Sequence, residues 1–220
     1  MFSIAIDGPA GAGKTTAAKL LAQKLNILYV DTGAFYRTVA VAIKRYGWQL
    51  DELTMRLLQE LNIDVQLIDG TQRMILNGED VTDLLRTPEM SKLASDCSAL
   101  PVVREYLLEA QRELAQKTSV VMEGRDIGTV VLPNATLKVF LTADLNVRAE
   151  RRYKEINDPS MTLAKIESVM KERDINDSTR SVAPLKKAVD AYYLDSSPKT
   201  IEEVQAEIMN LLRLQFGVHH

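Results

Sequence analysis

The sequence predicts an α/β fold in which a five-stranded parallel sheet is covered by helices and carries a small antiparallel β insert. Three observations predict it. Short apolar segments alternate along the chain with longer segments whose apolar residues recur at helical spacing. A glycine-rich turn joins the first apolar segment to the first helical one. Two hairpin dipeptides, Asp69-Gly70 and Asn77-Gly78, separate β-like runs in the middle of the chain.

Length and composition limit the classes of protein that need to be considered. With 220 residues, 46% of them apolar and 26% charged, we expect one globular domain. Its core would comprise residues 1–61, 88–147 and 161–220, with an insert at about 62–87. A net charge of −3 argues against general binding of nucleic acid. No apolar run is long enough to span a membrane, and there is no secretion signal, so we expect a cytoplasmic protein. We also expect a monomer.

Cysteine and histidine contribute little to the expected chemistry. Cys97 is the only cysteine, which excludes an internal disulfide and favours a small buried residue over a nucleophile. His219 and His220 end the chain and could be the remnant of a tag. No internal histidine is therefore available as a base or a metal ligand.

The first strand, at residues 3–7, leads into the most specific motif of the chain. Gly8, Gly13, Lys14 and Thr15 match the pattern G-x-x-x-x-G-K-[ST] between a strand and a helix. Glycines let the backbone approach a ligand, and N–H groups at a helix start favour an anion. Lys14 would reach the β- and γ-phosphates of a bound ligand, and the Thr15 hydroxyl would bind Mg²⁺. The residues predicted to form this phosphate-binding loop are Gly8, Pro9, Ala10, Gly11, Ala12, Gly13, Lys14, Thr15 and Thr16.

The first half of the chain continues with alternating elements. Helical spacing predicts a helix over Lys14–Leu25, a buried strand follows at 27–30, and a second helix spans about 34–45. Asp51 is expected to cap a helix that ends near residue 61. The insert strands are expected at 64–68, 73–76 and 79–81, and two helices split by Pro101 at about 89–99 and 102–117.

The second half repeats the alternation. Strands are expected at 119–122, 137–141 and 191–194, and helices at 145–156, 162–176 and 201–214. Polar clusters follow the first three core strands: the glycine loop, Asp31-Thr32-Gly33 and Glu123-Gly124-Arg125-Asp126. Because ligands of parallel sheets bind beyond the carboxyl ends of the strands, we expect these clusters to form a site.

Arginines crowd the region between Arg104 and Arg180, although the chain is acidic overall. Some of them are expected on solvated helix faces. Transfer of a phosphoryl group spreads negative charge over its oxygens, and arginine is a permanently charged bidentate donor for that charge. The arginine-rich region therefore indicates phosphoryl transfer.

Four segments in this order and spacing, GPAGAGKTT, DTGAFYR, EGRDIGTVV and KERDINDSTR, resemble those of bacterial cytidylate kinases, which are P-loop nucleoside monophosphate kinases. The resemblance covers nearly the whole chain, including the insert and the RTPEMS stretch after it. It implies a P-loop kinase fold whose insert forms the monophosphate-binding region, with a short helical lid at about 148–160. It also implies Mg²⁺-dependent transfer of the γ-phosphoryl of ATP to CMP or dCMP, in pyrimidine nucleotide metabolism.

The resemblance further implies roles for individual residues. Thr32, Tyr36 and Arg37 would hold the acceptor nucleotide, with Arg37 on its phosphate, and Asp177 would contact its sugar. The residues that would read cytosine are Ser95, Arg104, Asp126 and Arg180. The catalytic residues would be Lys14, Arg125, Arg148, Arg151 and Arg173, with Arg125 and Arg173 facing phosphate and Arg152 an alternative lid arginine. Glu123 stands where the family often has Asp, and is either a carboxylate that orders Mg²⁺-bound water or a solvated strand end.

Three other functions agree less well with the sequence. A P-loop kinase for UMP, dTMP or a non-nucleotide acceptor would not need the cytosine-reading set. A GTP-binding switch protein would need an Asn-Lys-x-Asp stretch, which this sequence lacks. A DNA-dependent ATPase is disfavoured by the net charge of −3. The preference between CMP and dCMP, the tolerance of UMP and the identity of the lid arginine on the phosphoryl group stay open.

Overall fold

The computed structural model describes residues 1–68, 71–156, 158 and 161–216. Several expectations lie outside these residues: the Asp69-Gly70 turn, the lid residues Asn157, Pro159 and Ser160, and the terminal histidines His219 and His220. The chain divides into two compact units, one of Met1–Tyr29 with Thr118–His220 and one of Val30–Lys117. The single domain with a core, an insert at 62–87 and a lid at 148–160 stays a prediction.

Eight strands and eight α-helices occur in the described residues. The strands are β1 (Ser3–Asp7), β2 (Leu28–Asp31), β3 (Ile63–Ile68), β4 (Thr71–Leu76), β5 (Glu79–Asp80), β6 (Val120–Gly124), β7 (Leu137–Thr142) and β8 (Tyr192–Asp195). The helices are α1 (Lys14–Leu25), α2 (Thr32–Tyr46), α3 (Met55–Gln59), α4 (Pro88–Cys97), α5 (Pro101–Lys117), α6 (Leu145–Glu155), α7 (Leu163–Thr179) and α8 (Ile201–Gln215). None of these helices is both long and apolar enough to cross a lipid bilayer.

The main sheet has five strands in the order β2-β6-β1-β7-β8, and the pairs β1–β6, β1–β7 and β7–β8 are parallel. This confirms the predicted parallel sheet. The central strand β1 is buried from Ile4 onward, as expected of a strand covered on both faces. Helices α1 and α8 pack on it through a shared apolar core, which includes Ile4, Ile6, Leu21, Val139, Leu141, Leu194, Val204 and Ile208.

The second unit contains the antiparallel sheet β3-β4-β5, as the sequence predicts. Asn77 and Gly78 connect β4 to β5 with φ angles of 51° and 85°. Two successive positive φ angles are typical of the two-residue turn that matches the twist of a hairpin. The helices α2, α4 and α5 belong to the same unit, and Cys97 at the end of α4 is buried, as expected.

One local expectation was wrong, and the helices α5 and α2 begin one and two residues before the expected positions, although Pro101 separates α4 from α5 as expected. Asp51 does not cap α3: it lies in a short 3₁₀ turn, and the Thr54 hydroxyl accepts the N–H of Leu57 instead. Pro101 is the first residue of α5, where its missing N–H costs nothing. Helix α2 begins at Thr32, so this residue lies in its first turn.

Two short helical turns were missed, a 3₁₀ turn at Thr82–Leu84 and a π-helical turn at Ile127–Val131. The π-helical turn begins directly after Asp126. The local sequence contains no signal for it, because the groups that hold its first amides come from another strand.

A buried ion pair joins the end of β6 to α7. Arg125 Nε donates to Asp177 Oδ2 over 2.7 Å, and the two side chains are 17% and 7% exposed. Burial alone would raise the pKa of Asp177, but Arg125, followed by Arg173 and Arg180, holds it below its usual value. The charged form of Asp177 is therefore favoured in the folded protein.

We expect this ion pair to make stability depend on pH. Because the folded pKa of Asp177 lies below the unfolded value, its contribution is complete above about pH 5 and is lost as the pH falls towards the folded pKa. In urea unfolding between pH 3 and 7, the free energy of unfolding should fall less steeply with acid for Asp177→Asn than for the wild type. The variant should also be less stable at pH 7, by about 3 kcal/mol.

The matched control is Asp96→Asn, which removes a carboxylate from the exposed i,i+4 pair with Lys92. Exposed pairs contribute little to stability, so this variant should follow the wild-type pH profile. Parallel profiles for the wild type and Asp177→Asn would show that the buried pair does not contribute as described.

Candidate active site

The glycine loop between β1 and α1 has positive φ angles at Gly8, Gly11 and Gly13, a backbone that other residues rarely adopt. Gly8 has φ 149°, and a Cβ there would lie 1.8 Å from the carbonyl oxygen of Leu141. Gly11 has φ 76°, and a Cβ there would lie 2.8 Å from Met170 Cε. The α1 helix starts after Gly13 with no side-chain cap and no acidic residue in its first turn. Its first N–H groups and the positive end of its dipole therefore favour an anion.

Lys14 lies buried at the start of α1, where its Nζ donates to the carbonyl oxygen of Pro9 over 2.6 Å. Burial, together with the guanidinium groups of Arg125 and Arg173, lowers its pKa to about 7, against the opposing effect of Glu123 and Asp7. A phosphate beside Lys14 would supply the negative charge that favours its ammonium form.

Arginines and carboxylates alternate around the end of β6 and the end of α7. Besides the Arg125–Asp177 pair, Arg180 Nη2 lies 3.6 Å from Asp126 Oδ1, and both side chains are buried. Arg180 Nε also donates to the carbonyl oxygen of Ala183 over 2.7 Å. These contacts fix the direction of the guanidinium groups, which is a requirement for recognising phosphate or a planar base.

Glu123 is buried on β6 and accepts a hydrogen bond of 2.7 Å from the hydroxyl of Tyr29. The alternative that Glu123 is a solvated strand end is therefore wrong. Among the described residues, no group of three or more histidine, cysteine, aspartate or glutamate side chains could hold a metal ion. The candidate protein donors for a metal ion are the exposed Thr15 hydroxyl and the Glu123 carboxylate. These two donors fit Mg²⁺ bound to a nucleotide, because Mg²⁺ keeps several waters and takes one or two protein ligands plus phosphate oxygens.

The arginines of α6, expected in a lid, have different surroundings. Arg148 is buried, with its guanidinium bonded to the carbonyl oxygens of Ala143 and Ala10 and to Asp174 Oδ2, over 2.8, 3.0 and 2.7 Å. Since Ala10 belongs to the glycine loop, Arg148 supports that loop. Arg151 donates hydrogen bonds to the hydroxyl and carbonyl oxygens of Ser196. Arg152 is exposed and forms an ion pair with Glu155.

The predicted acceptor residues of the second unit lie on α2, α4 and α5. Arg37 forms an ion pair with Asp31 at the start of α2. The guanidinium of the buried Arg104 lies 5.5 Å from the centre of the Tyr36 ring and donates to the carbonyl oxygen of Ser98. The structure thus places Tyr36 and Arg104 side by side. Thr32 is buried in the first turn of α2, and Ser95 is half-buried on α4.

Three residues close to the site were not predicted from the sequence. Asp7 accepts hydrogen bonds from the two backbone N–H groups that follow Asp126. Asp174 accepts a hydrogen bond from Arg148. The Ser196 hydroxyl donates to the carbonyl oxygen of Ala12 in the glycine loop. Asp7 had a usable signal, because a carboxylate at the end of a buried strand must find donors. For Asp174 and Ser196 the sequence contains no comparable signal.

The chain was compared with known proteins. The family model for cytidylate kinase matches residues 4–214. A cytidylate kinase of Solibacter usitatus is 48% identical over 214 residues, which cover 96% of this chain and 91% of that protein. A cytidylate kinase of Caldicellulosiruptor saccharolyticus is 44% identical over 220 residues, which cover 98% of this chain and 97% of that protein.

Solved structures show the same fold at low identity. An uncharacterised protein from Eubacterium ventriosum has a TM-score of 0.55 at 15% identity, over 96% of this chain and 98% of that one. Shikimate kinase from Bacteroides thetaiotaomicron has a TM-score of 0.50 at 17% identity, with the same two coverages of 96% and 98%. The predicted P-loop kinase fold is thus confirmed. The family model spans almost all of the sequence, and both relatives are more than 40% identical over at least 91% of their own length, so this chain belongs to the cytidylate kinase family.

Proposed function

We propose that the protein is a phosphotransferase that moves the γ-phosphoryl group of ATP to CMP or dCMP, giving ADP and CDP or dCDP, in cytoplasmic pyrimidine nucleotide metabolism. The observation that carries the proposal is the buried Lys14 at the glycine loop, where burial, and after it the nearby guanidinium groups of Arg125 and Arg173, lower its pKa to about 7. Positive charge concentrated at a loop whose following helix start also favours an anion supports a phosphate-bearing ligand. UMP and dTMP are not favoured as acceptors, and neither is a nucleotide-binding switch.

The donor side of the reaction uses the glycine loop. Its N–H groups and the start of α1 would hold the phosphates of ATP, and Lys14 would contact the β- and γ-phosphate oxygens. We assign the contacts with ATP to residues 8–16. Mg²⁺ would be held by Thr15, with Glu123 ordering its bound water, and would neutralise phosphate charge when bound.

The transfer itself needs positioning and charge stabilisation more than a nucleophile from the protein. A phosphate oxygen of CMP bonds to the γ-phosphorus as the bond from that phosphorus to the β–γ bridging oxygen breaks, and ADP leaves. Because the second pKa of a phosphate monoester is about 6, the attacking oxygen carries no proton at pH 7. Lys14, Arg125 and Arg173 would stabilise the charge on the transferring group, and Arg148 and Arg151 would complete the catalytic set by supporting the loop or by direct contact.

The acceptor residues are proposed from the resemblance together with their local contacts. Arg37 would bind the CMP phosphate, assisted by Thr32 and Tyr36, and Asp177 would bind the sugar. The residues proposed to read cytosine are Ser95, Arg104, Asp126 and Arg180. The insert at 62–87 as the monophosphate-binding region, the lid at 148–160 and the monomeric state belong to the same proposal.

Replacing Lys14 tests the donor side. We expect Lys14→Ala to lower kcat for ATP and CMP by roughly 10²-fold or more, the scale of losing one preorganised electrostatic donor. The measurement is coupled ADP release with Mg²⁺ and saturating nucleotides. The control is Lys24→Ala, which removes an exposed lysine from the last turn of the same helix and should keep wild-type kcat. Near-normal turnover of Lys14→Ala would remove the loop lysine from the mechanism.

Replacing Asp126 tests the choice of base. An ionised carboxylate only accepts hydrogen bonds, so Asp126 can pair with the amino group of cytosine but not with the O4 acceptor of uracil. We expect the wild type to prefer CMP over UMP in kcat/KM by up to about 10⁴-fold. Asp126→Asn, whose amide can donate, should narrow that ratio while lowering turnover of CMP.

The comparison for Asp126→Asn is Asp177→Asn, assayed at pH 7. Asp177 is assigned to the sugar, so its replacement should lower activity with CMP and UMP alike and leave their ratio in place. An unchanged ratio in Asp126→Asn would mean that base choice depends on Arg104, Arg180 and the shape of the pocket.

A further inference from the structure

Asp7, the last residue of β1, holds the backbone that follows Asp126. Its Oδ1 accepts the N–H of Ile127 and its Oδ2 accepts the N–H of Gly128, each over 2.7 Å. The side chain is buried, and one carboxylate thus satisfies two consecutive amides with its two oxygens. Charge-assisted hydrogen bonds of this kind are stronger than neutral ones.

The amides that Asp7 binds are the first two of the π-helical turn Ile127–Val131. The first amides of any helical turn have no partner within it, and the residue at the N-cap position usually binds them. Here that residue is Asp126, yet its side chain makes no capping hydrogen bond. The Asp126 carboxylate instead lies 3.6 Å from Arg180. Asp7 therefore performs the capping that Asp126 would otherwise perform.

The surroundings of Asp7 change its pKa and leave little space around its carboxylate. Burial raises the pKa of Asp7 to about 6, although the amides of Gly128 and Ile127 act against the rise. The other charged groups that act on it are Asp126, which raises the pKa further, and Lys14, which lowers it. The absence of a side chain at Gly128 allows the close approach, because a Cβ there would lie 3.3 Å from Asp7 Oδ2 and 3.1 Å from Lys138 Cδ.

We propose that Asp7 is a positioning residue for acceptor binding, which acts by clamping the amides of Ile127 and Gly128 so that Arg125 and Asp126 keep their directions. The inference rests on the proposed function, in which Arg125 faces phosphate and Asp126 reads the base. Asp7 touches neither substrate in this account.

A purely local alternative is that Asp7 supports the glycine loop, because Gly8 follows it directly. The two roles differ in which substrate they affect. A clamp on the turn after β6 changes the KM for CMP and the preference for CMP over UMP. Support of the glycine loop changes the KM for ATP.

The experiment measures KM and kcat for both nucleotides in Asp7→Asn and in Gly128→Ala. In Asp7→Asn one amide loses its acceptor and faces an NH₂ group. In Gly128→Ala the new methyl group presses on the same hydrogen bond from a position outside the glycine loop. Each variant should raise the KM for CMP by roughly 10-fold, the cost of an unsatisfied buried amide, with the KM for ATP changed by less than about 3-fold. The preference for CMP over UMP should fall in both.

Because both changes break one interaction, the double variant should be no worse than the more impaired single variant. The matched control is Asp195→Asn, which alters another strand-end carboxylate, one that binds the N–H and hydroxyl of Ser197 over 2.8 and 2.7 Å. Its KM for CMP should stay at the wild-type value. If Asp7→Asn does not fold, the KM values of Gly128→Ala for CMP and ATP alone test the proposal.

Two outcomes would overturn the inference. A KM for ATP that rises as much as the KM for CMP would assign Asp7 to the glycine loop, and wild-type values of both would leave it without a positioning role. Amide hydrogen exchange gives a readout that does not require activity, since Ile127 and Gly128 should exchange faster in Asp7→Asn. A wild type that does not phosphorylate CMP would refute the proposed function, whereas unchanged exchange would refute the clamp.

Discussion

Lys14, Arg125 and Arg173 lie close enough together for their positive charges to act on one another inside the protein, where little water screens them. Like charges at such short distances are stabilised when carboxylates pair with them and each side chain is fixed in place. Several residues of the first unit provide these carboxylates. Strand β6 contributes Glu123, the residue after β6 is Arg125, and α7 contributes Asp177, which accepts a hydrogen bond from the Arg125 guanidinium.

The carboxylates that offset this charge come from elements far apart in the sequence. Asp7 ends β1, Glu123 lies in β6, and Asp174 and Asp177 lie on α7. Each has a defined partner: two backbone amides, the Tyr29 hydroxyl, Arg148 and Arg125, respectively. The hydrogen bonds to Asp177 and Asp174 therefore fix the directions of Arg125 and Arg148. Preorganised donors of this kind stabilise a charged transition state without a reorganisation cost.

The glycine loop depends on the same network. Arg148 donates to the carbonyl oxygen of Ala10, and Ser196 donates to that of Ala12, so the outer side of the loop is held by α6 and by the segment after β8. With its carbonyl groups bound on that side, the loop keeps a backbone in which N–H groups are available to phosphate. Arg148 was expected as a lid residue, and its buried hydrogen bonds show that it also supports the glycine loop.

The sequence alone was sufficient for features that depend on neighbours in the chain. The alternation of apolar segments predicted the parallel sheet, Asn77-Gly78 predicted its turn, and the pattern around Lys14 predicted the phosphate loop, because each is set within a few residues. The sequence did not predict which residue caps α3, because Asp51 and Thr54 are both residue types that can cap a helix.

Only the tertiary structure decided which groups meet around the site. Asp7 and Gly128 are brought together by the pairing of β1 with β6 and by the π-helical turn that follows, and nothing near either residue in the sequence indicates the other. The same holds for Arg125 with Asp177 and for Arg148 with Ala10. The sequence determined which chemical groups the protein has, whereas the packing of strands and helices determined their partners, because hydrogen bonds and ion pairs depend on distances that only the folded chain sets.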